Sequence, residues 1–120
     1  MLLVAEDDDD LRETMSNMLG EAGYAVHAVR HGGEAVHALE AGGVRPRAIV
    51  LDLVMPVMNG WNFWDWLQGS PFAGVPIIIF TATGLSQGAF GAVRVVQKGR
   101  NPRDLLDALS SALGPIAKAG

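Results

Sequence analysis

The chain has 120 residues, 49% of them hydrophobic and 18% charged, and a formal charge of -4; these values fit one domain over residues 1–120 and exclude a disordered chain. The absence of cysteine excludes disulfides and thiolate metal sites, and the lack of a Lys/Arg cluster argues against direct nucleic-acid binding. No apolar run approaches the roughly 20 residues of a membrane span and no basic leader precedes the first one, so the expectation is a cytoplasmic protein with no membrane partner.

Leu2, Leu3, Val4 and Ala5 read as a buried strand. Leu11, Met15, Met18 and Leu19 recur at helical spacing and predict a first helix over residues 11–19, capped by Asp10 and ended by the stretch from Gly20 to Gly23. Residues 24–29 read as a second strand and residues 32–39 as a second helix, with Ala35, Val36 and Leu39 on one side. Gly42, Gly43 and Pro46 break the chain before a third strand over residues 48–51. A short helix over residues 59–67 follows, capped by Asn59, with Phe63 and Leu67 spaced to face the core. Trp66 is the best candidate of that crowded helix for exposure and a partner contact, with cover by its own neighbours as the open alternative. Residues 76–81 and 93–96 read as the fourth and fifth strands, and residues 102–113 as the last helix, with Asn101 as cap. His27, His31 and His37 read as surface residues of a strand, a turn and a helix.

Continuous apolar strands alternating with helices imply a parallel sheet covered on both faces. The expected fold is therefore a doubly wound α/β sandwich. Such sheets hold their chemistry beyond the carboxyl ends of the strands, where the strand order switches. There the sequence places the acids Glu6 to Asp10 after strand one, Asp52 after strand three, Thr81 at the end of strand four and Lys98 after strand five.

Clustered carboxylates are costly without a cation between them. Glu6, Asp7 and Asp52 supply hard oxygen ligands that suit Mg²⁺. A carboxylate in such a site can attack phosphorus and form an aspartyl phosphate, with the metal and Lys98 neutralising the transferring group and the Thr81 hydroxyl hydrogen-bonding a phosphoryl oxygen. Each residue also has a plain structural role open to it. Acids before a helix often serve only its N-terminus, Thr81 alone is a strand-end hydroxyl, and Lys98 alone is a surface lysine. Their joint placement after four strands is what points to a site.

Four segments carry a resemblance to a family. LDLVMPVMNGW at residues 51–61 resembles the phosphoacceptor strand and loop of the receiver (CheY-like) domains of bacterial response regulators, and LLVAEDDDDLR at residues 2–12 resembles their first strand and acidic loop. GVPIIIFTATG and QKGRNPRDLLDAL resemble their fourth strand and their fifth-strand lysine with the last helix. The resemblance implies a flavodoxin-like five-stranded sheet of order 2-1-3-4-5. It implies Asp52 as phosphoacceptor, Glu6, Asp7, Asp52 and the backbone carbonyl of Val54 as ligands of Mg²⁺, and Thr81 and Lys98 as phosphate contacts. It implies a signalling module rather than an enzyme, catalysing only its own phosphorylation and dephosphorylation. Its partners would be a sensor histidine kinase or phosphotransfer protein and a downstream protein.

Several positions depart from the family pattern. Glu6 stands where the family commonly has Asp, Gly99 where it usually has Pro, and Val95 where its switch aromatic would fall. Residues 82–92 leave 11 positions for the crossover between strands four and five, near the ~10–12 minimum, so the fourth helix is expected to be short or irregular. Val95, Gly99 and the short crossover favour the alternative of a degenerate receiver used as a protein-binding scaffold, whereas the retained acids, Thr81 and Lys98 disfavour it. A haloacid-dehalogenase-type phosphatase would want a second Asp where Val54 stands, and a flavodoxin would want a Ser/Thr-rich loop where the acids stand. With no effector domain in these residues, the chain is expected either to act alone or to be an excised piece.

Overall fold

The computed structural model describes residues 1–52, 60–82, 94–98, 101 and 103–114. Within them the chain runs β1 (Leu2–Ala5), α1 (Asp9–Glu21), β2 (Val26–Val29), α2 (Gly32–Glu40), β3 (Ala48–Leu51), α3 (Gly60–Gln68), β4 (Ile77–Thr81), β5 (Arg94–Gln97) and α4 (Arg103–Leu113). The strands form one five-stranded sheet in the order β2-β1-β3-β4-β5, and each neighbouring pair is parallel. The doubly wound sheet expected from the sequence is therefore the one observed.

Alternation along each strand sorts its side chains between two layers. Leu3, Ile49, Leu51, Ile77, Ile79 and Val95 bury against Ala35, Ala38 and Leu39 of α2 and Phe63 and Leu67 of α3. Leu2, Val4, Ala48, Val50, Ile78, Phe80 and Val96 bury against Met15 and Leu19 of α1 and Leu105, Ala108 and Leu109 of α4. Because β1, β3 and β4 are buried on both faces, they contain no polar residue before the end of β4, as a central parallel strand requires. Each large side chain fully buried here contributes about 1.5–3 kcal/mol of transfer free energy. Among the described residues, no helix is long and apolar enough to cross a membrane.

The helix ends differ in detail from the sequence reading. Helix α1 starts earlier than expected, and its cap is Asp8 rather than Asp10: the Asp8 side chain accepts the Leu11 N–H at 2.9 Å. Asp10 cannot take that part because it already lies inside the first turn. Gly20 also belongs to the helix, which ends in a Schellman turn: the N–H of Gly23 donates to Gly20 O and that of Tyr24 to Leu19 O. Gly23 adopts φ 106° to close it, a backbone region costly for other residues. Strand β2 is accordingly shorter than predicted, beginning at Val26. Helix α2 is capped by His31, whose Nδ1 accepts the Glu34 N–H at 3.2 Å. The expected cap Asn101 accepts the Arg103 N–H at 2.9 Å.

Helix α3 buries Phe63 and Leu67 as predicted, but the exposed aromatic is Trp61, at 41%, and not Trp66. Trp66 lies three residues after Phe63 and therefore beside it on the helix surface. Its ring stacks on Phe63 at 5.9 Å and on Phe72 at 6.4 Å, so it packs against the core. The predicted cap Asn59 and the fourth helix of the crossover lie outside the described residues.

Candidate functional site

Strand order reverses between β1 and β3: the chain leaves β1 toward β2 on one side, and β3, β4 and β5 follow on the other. The residues just past those two strands are Glu6 and Asp52. Register aligns them. Ala5 pairs with Leu51, the Glu6 N–H donates to Val29 O at 3.0 Å and the Asp52 N–H to Ala5 O at 3.1 Å. Alternation then aims both carboxylates along the rows that end in Val4 and Val50, on the α1 and α4 side. Lys98 continues the row of Val96 on the same side. Phe80 stands on that side too, with its ring centroid 5.9 Å from Lys98 Nζ.

The three side chains meet. Lys98 Nζ lies 2.7 Å from Glu6 Oε1 and 2.9 Å from Asp52 Oδ2. Glu6 is 0% and Asp52 4% exposed, and the Lys98 side chain is 19% exposed. Burial alone would lower the Lys98 pKa, but its close contacts with the Glu6 and Asp52 carboxylates outweigh burial and hold it above the ordinary lysine value. Glu6 responds in the other direction. Burial pushes it up to about 7, against the Lys98 contact and the Asp8 N–H, and the Asp52 charge pushes the same way. The Asp8 N–H donates to Glu6 Oε2 at 3.1 Å. Oε1 is buried and has the ion-pair contact but no aligned hydrogen bond.

Asp7 is exposed at the mouth. Glu6, Asp7 and Asp52 can each present a carboxylate oxygen within 4.8 Å of the others. An all-oxygen set of this charge, with one buried oxygen short of a hydrogen bond, fits a hard divalent cation such as Mg²⁺. Thr81 is buried at the end of β4, one residue beyond the level of Asp52, and its carbonyl accepts the Lys98 N–H at 2.9 Å. The structure thus brings Glu6, Asp7, Asp52 and Lys98 together and sets Thr81 on the adjoining strand end. The Val54 carbonyl lies outside the described residues. Val95, at the position of the family's switch aromatic, is buried under the α2 and α3 layer. The histidines are exposed at positions 27 and 37 and half-buried at 31; among the described residues they join no metal-binding group.

Sequence reasoning missed two features of this edge. One is that Lys98 bridges both buried carboxylates, for which row alternation in β5 was the available signal. The other is the division of labour in the acidic run, where Asp8 caps α1 and Asp9 pairs with Arg12.

Residues 2–110 match the response regulator receiver domain family. The chain is 33% identical over 119 residues to protein Rrf1 of Nitratidesulfovibrio vulgaris, covering 98% of this chain and 85% of that protein. It is 29% identical over 121 residues to the transcriptional regulatory protein GltR of Pseudomonas aeruginosa, covering 93% of this chain but only 48% of that longer protein. Among solved structures it is similar to the chemotaxis response regulator CheY4 of Vibrio cholerae, with a TM-score of 0.81 and 30% identity over 93% of this chain and 97% of that one.

Proposed function

The chain belongs to the response regulator receiver domain family, whose members are modules of two-component signalling, and we propose that it accepts a phosphoryl group on Asp52 from a histidine kinase or phosphotransfer protein. One observation carries this reading: a buried aspartate at the switch point faces two further carboxylates and a lysine. In the proposed reaction an Asp52 carboxylate oxygen attacks the phosphorus of a phosphohistidine. The new P–O bond forms as the P–N bond breaks, and the imidazole leaves. Lys98, already at Asp52 Oδ2, neutralises charge on the phosphoryl oxygens, and the Thr81 hydroxyl donates to one of them. Glu6, Asp7, Asp52 and the Val54 carbonyl would hold Mg²⁺, which when bound supplies Lewis-acid neutralisation of the phosphoryl group. The chain would catalyse only its own phosphorylation and dephosphorylation, and the phosphorylated form would shift the population that a downstream protein recognises.

Intact mass after incubation with Mg²⁺ and acetyl phosphate tests this. Wild type is expected to gain one phosphoryl group and Asp52→Asn none. If wild type gains nothing, the phosphoacceptor reading fails and a phosphorylation-independent scaffold replaces it.

A further inference from the structure

The first turn of a helix favours acids, because its free N–H groups carry partial positive charge. Arg12, in the first turns of α1, runs against that preference. Its side chain is only 19% exposed, although a lone helix-surface arginine would keep its head in water. The guanidinium folds back over the loop that leaves β1. Nη1 donates to the backbone carbonyl of Glu6 at 3.1 Å, and Nη2 donates to Asp9 Oδ1 at 2.5 Å. The Arg12 backbone N–H donates to Asp8 O at 2.8 Å. Asp8 in turn donates its N–H to Glu6 Oε2 and accepts the Leu11 N–H on its side chain. Residues 6–12 are thereby closed into one hydrogen-bonded ring, with Arg12 spanning it from end to end.

We propose that Arg12 is the positioning residue of the acidic site: by clamping the Glu6 carbonyl to the first turn of α1, it fixes the direction in which Glu6 and Asp7 present their carboxylates to a divalent cation. The inference rests on the Mg²⁺ reading given above. A planar fork that donates to a carbonyl and a carboxylate at once suits this task, and an ammonium does not. It also absorbs the fourth acid of the run: Asp9 anchors the fork.

Charge and positioning predict opposite signs here. Arg12 is a cation near a cation site, so as a mere charge it repels Mg²⁺, and its removal would tighten binding. As a clamp it holds the ligands in place, and its removal weakens binding. Partners that orient ligands in this way are typically worth about 10–100-fold in metal affinity.

The test is calorimetric titration of the whole unphosphorylated chain with MgCl₂, on wild type, Arg12→Gln and Arg12→Lys, with thermal melts in parallel. Arg12→Gln is expected to weaken Mg²⁺ binding about tenfold. Arg12→Lys, which keeps the charge but not the fork, is expected to fall between the two. Labelling by acetyl phosphate in Arg12→Gln should be slow at low Mg²⁺ and recover at saturating Mg²⁺. Equal or tighter binding by Arg12→Gln overturns the proposal. If that variant does not fold, Arg12→Lys decides, and wild-type affinity in it overturns the proposal too. Wild type that binds no Mg²⁺ overturns the metal reading and this inference together, whereas wild-type binding with unaltered variants removes only this inference.

Discussion

Glu6 follows β1, and Glu34 stands in the first turn of α2, just past the neighbouring strand β2. Both face a cation, Lys98 in one case and Arg30 in the other. Burial pushes Glu6 up to about 7, while the hydrogen bonds that Arg30 donates hold Glu34 down at about 2. Two glutamates at the same edge of one sheet, each within 2.7 Å of a basic nitrogen, thus move in opposite directions. The difference shows that an ion pair does not by itself stabilise a carboxylate. What decides is how much water the pair has lost and how many hydrogen bonds replace it. At the exposed pair little water is lost and the bonds are nearly free. At the buried one the desolvation of Glu6 exceeds what Lys98 returns.

The sharpest way to break this comparison is to remove each cation. Lys98→Met leaves two carboxylates buried without their ammonium, and a broken buried pair costs about 3–5 kcal/mol. Its urea midpoint should fall strongly at pH 8. The loss should shrink at pH 5, where Glu6 keeps its proton in the folded state. Arg30→Met, at an exposed pair, should leave the midpoint nearly unchanged at both pH values. Equal losses from the two substitutions would remove the distinction between the sites.

A smaller effect is expected from pH alone. Folding raises the Glu6 pKa from 4.5 to about 7. Between those values the unfolded chain has released this proton and the folded chain still holds it. The unfolded state therefore binds fewer protons, and stability falls as pH rises through that window, then levels off. Glu6→Gln removes the titration. Without Mg²⁺, its stability should be flatter than that of wild type between pH 4.5 and 7, by on the order of 1–3 kcal/mol across the window. Parallel slopes for the two proteins would place the desolvation cost elsewhere.

Which residues gather at this edge of the sheet is legible in the sequence, and how they are wired together only partly so. Glu6, Asp7, Asp52, Thr81 and Lys98 could be named because a parallel sheet puts the ends of its strands at one edge, and hydrophobic runs mark where strands end. All five strands were located to within two residues for the same reason. Helix ends were less legible. Asp8, Asp9 and Asp10 are chemically alike, and only the backbone direction after β1 decides which of them meets the free N–H groups of α1. The cover of Trp66 is not legible in the sequence, because part of it comes from Phe72, in a loop whose path hydrophobic periodicity does not encode. The pairing of Arg12 with the Glu6 carbonyl was hidden for a similar reason: a main-chain acceptor leaves no mark in the residue types.

The smallest expected effect separates the two parts of the Glu34 arrangement. Glu34 Oε1 accepts the Arg30 backbone N–H at 2.7 Å, while His31 Nδ1 accepts the Glu34 N–H. The two bonds make a variant of the capping box at the start of α2: histidine takes the place usual for serine or threonine, and the glutamate reaches one residue further back, to the N–H of Arg30 rather than that of the cap His31. The same carboxylate takes Arg30 Nε at 3.1 Å and Nη2 at 2.7 Å. Glu34→Gln keeps an oxygen for the backbone N–H and loses only the charge, so it should cost no more than a few tenths of a kcal/mol, as exposed pairs do. That cost should disappear in about 1 M salt, where screening acts within about 3 Å. It should also disappear as pH falls from 4.5 toward 2, because a depressed carboxylate pKa stabilises only above that window. Glu34→Ala loses the backbone acceptor as well and should cost about 1 kcal/mol, with little dependence on salt. Thermal melts of the two variants at low and high salt measure both quantities. If Gln proved as costly as Ala, and salt erased both losses, the exposed pair would be held by charge after all, and its contrast with Glu6 would be one of degree.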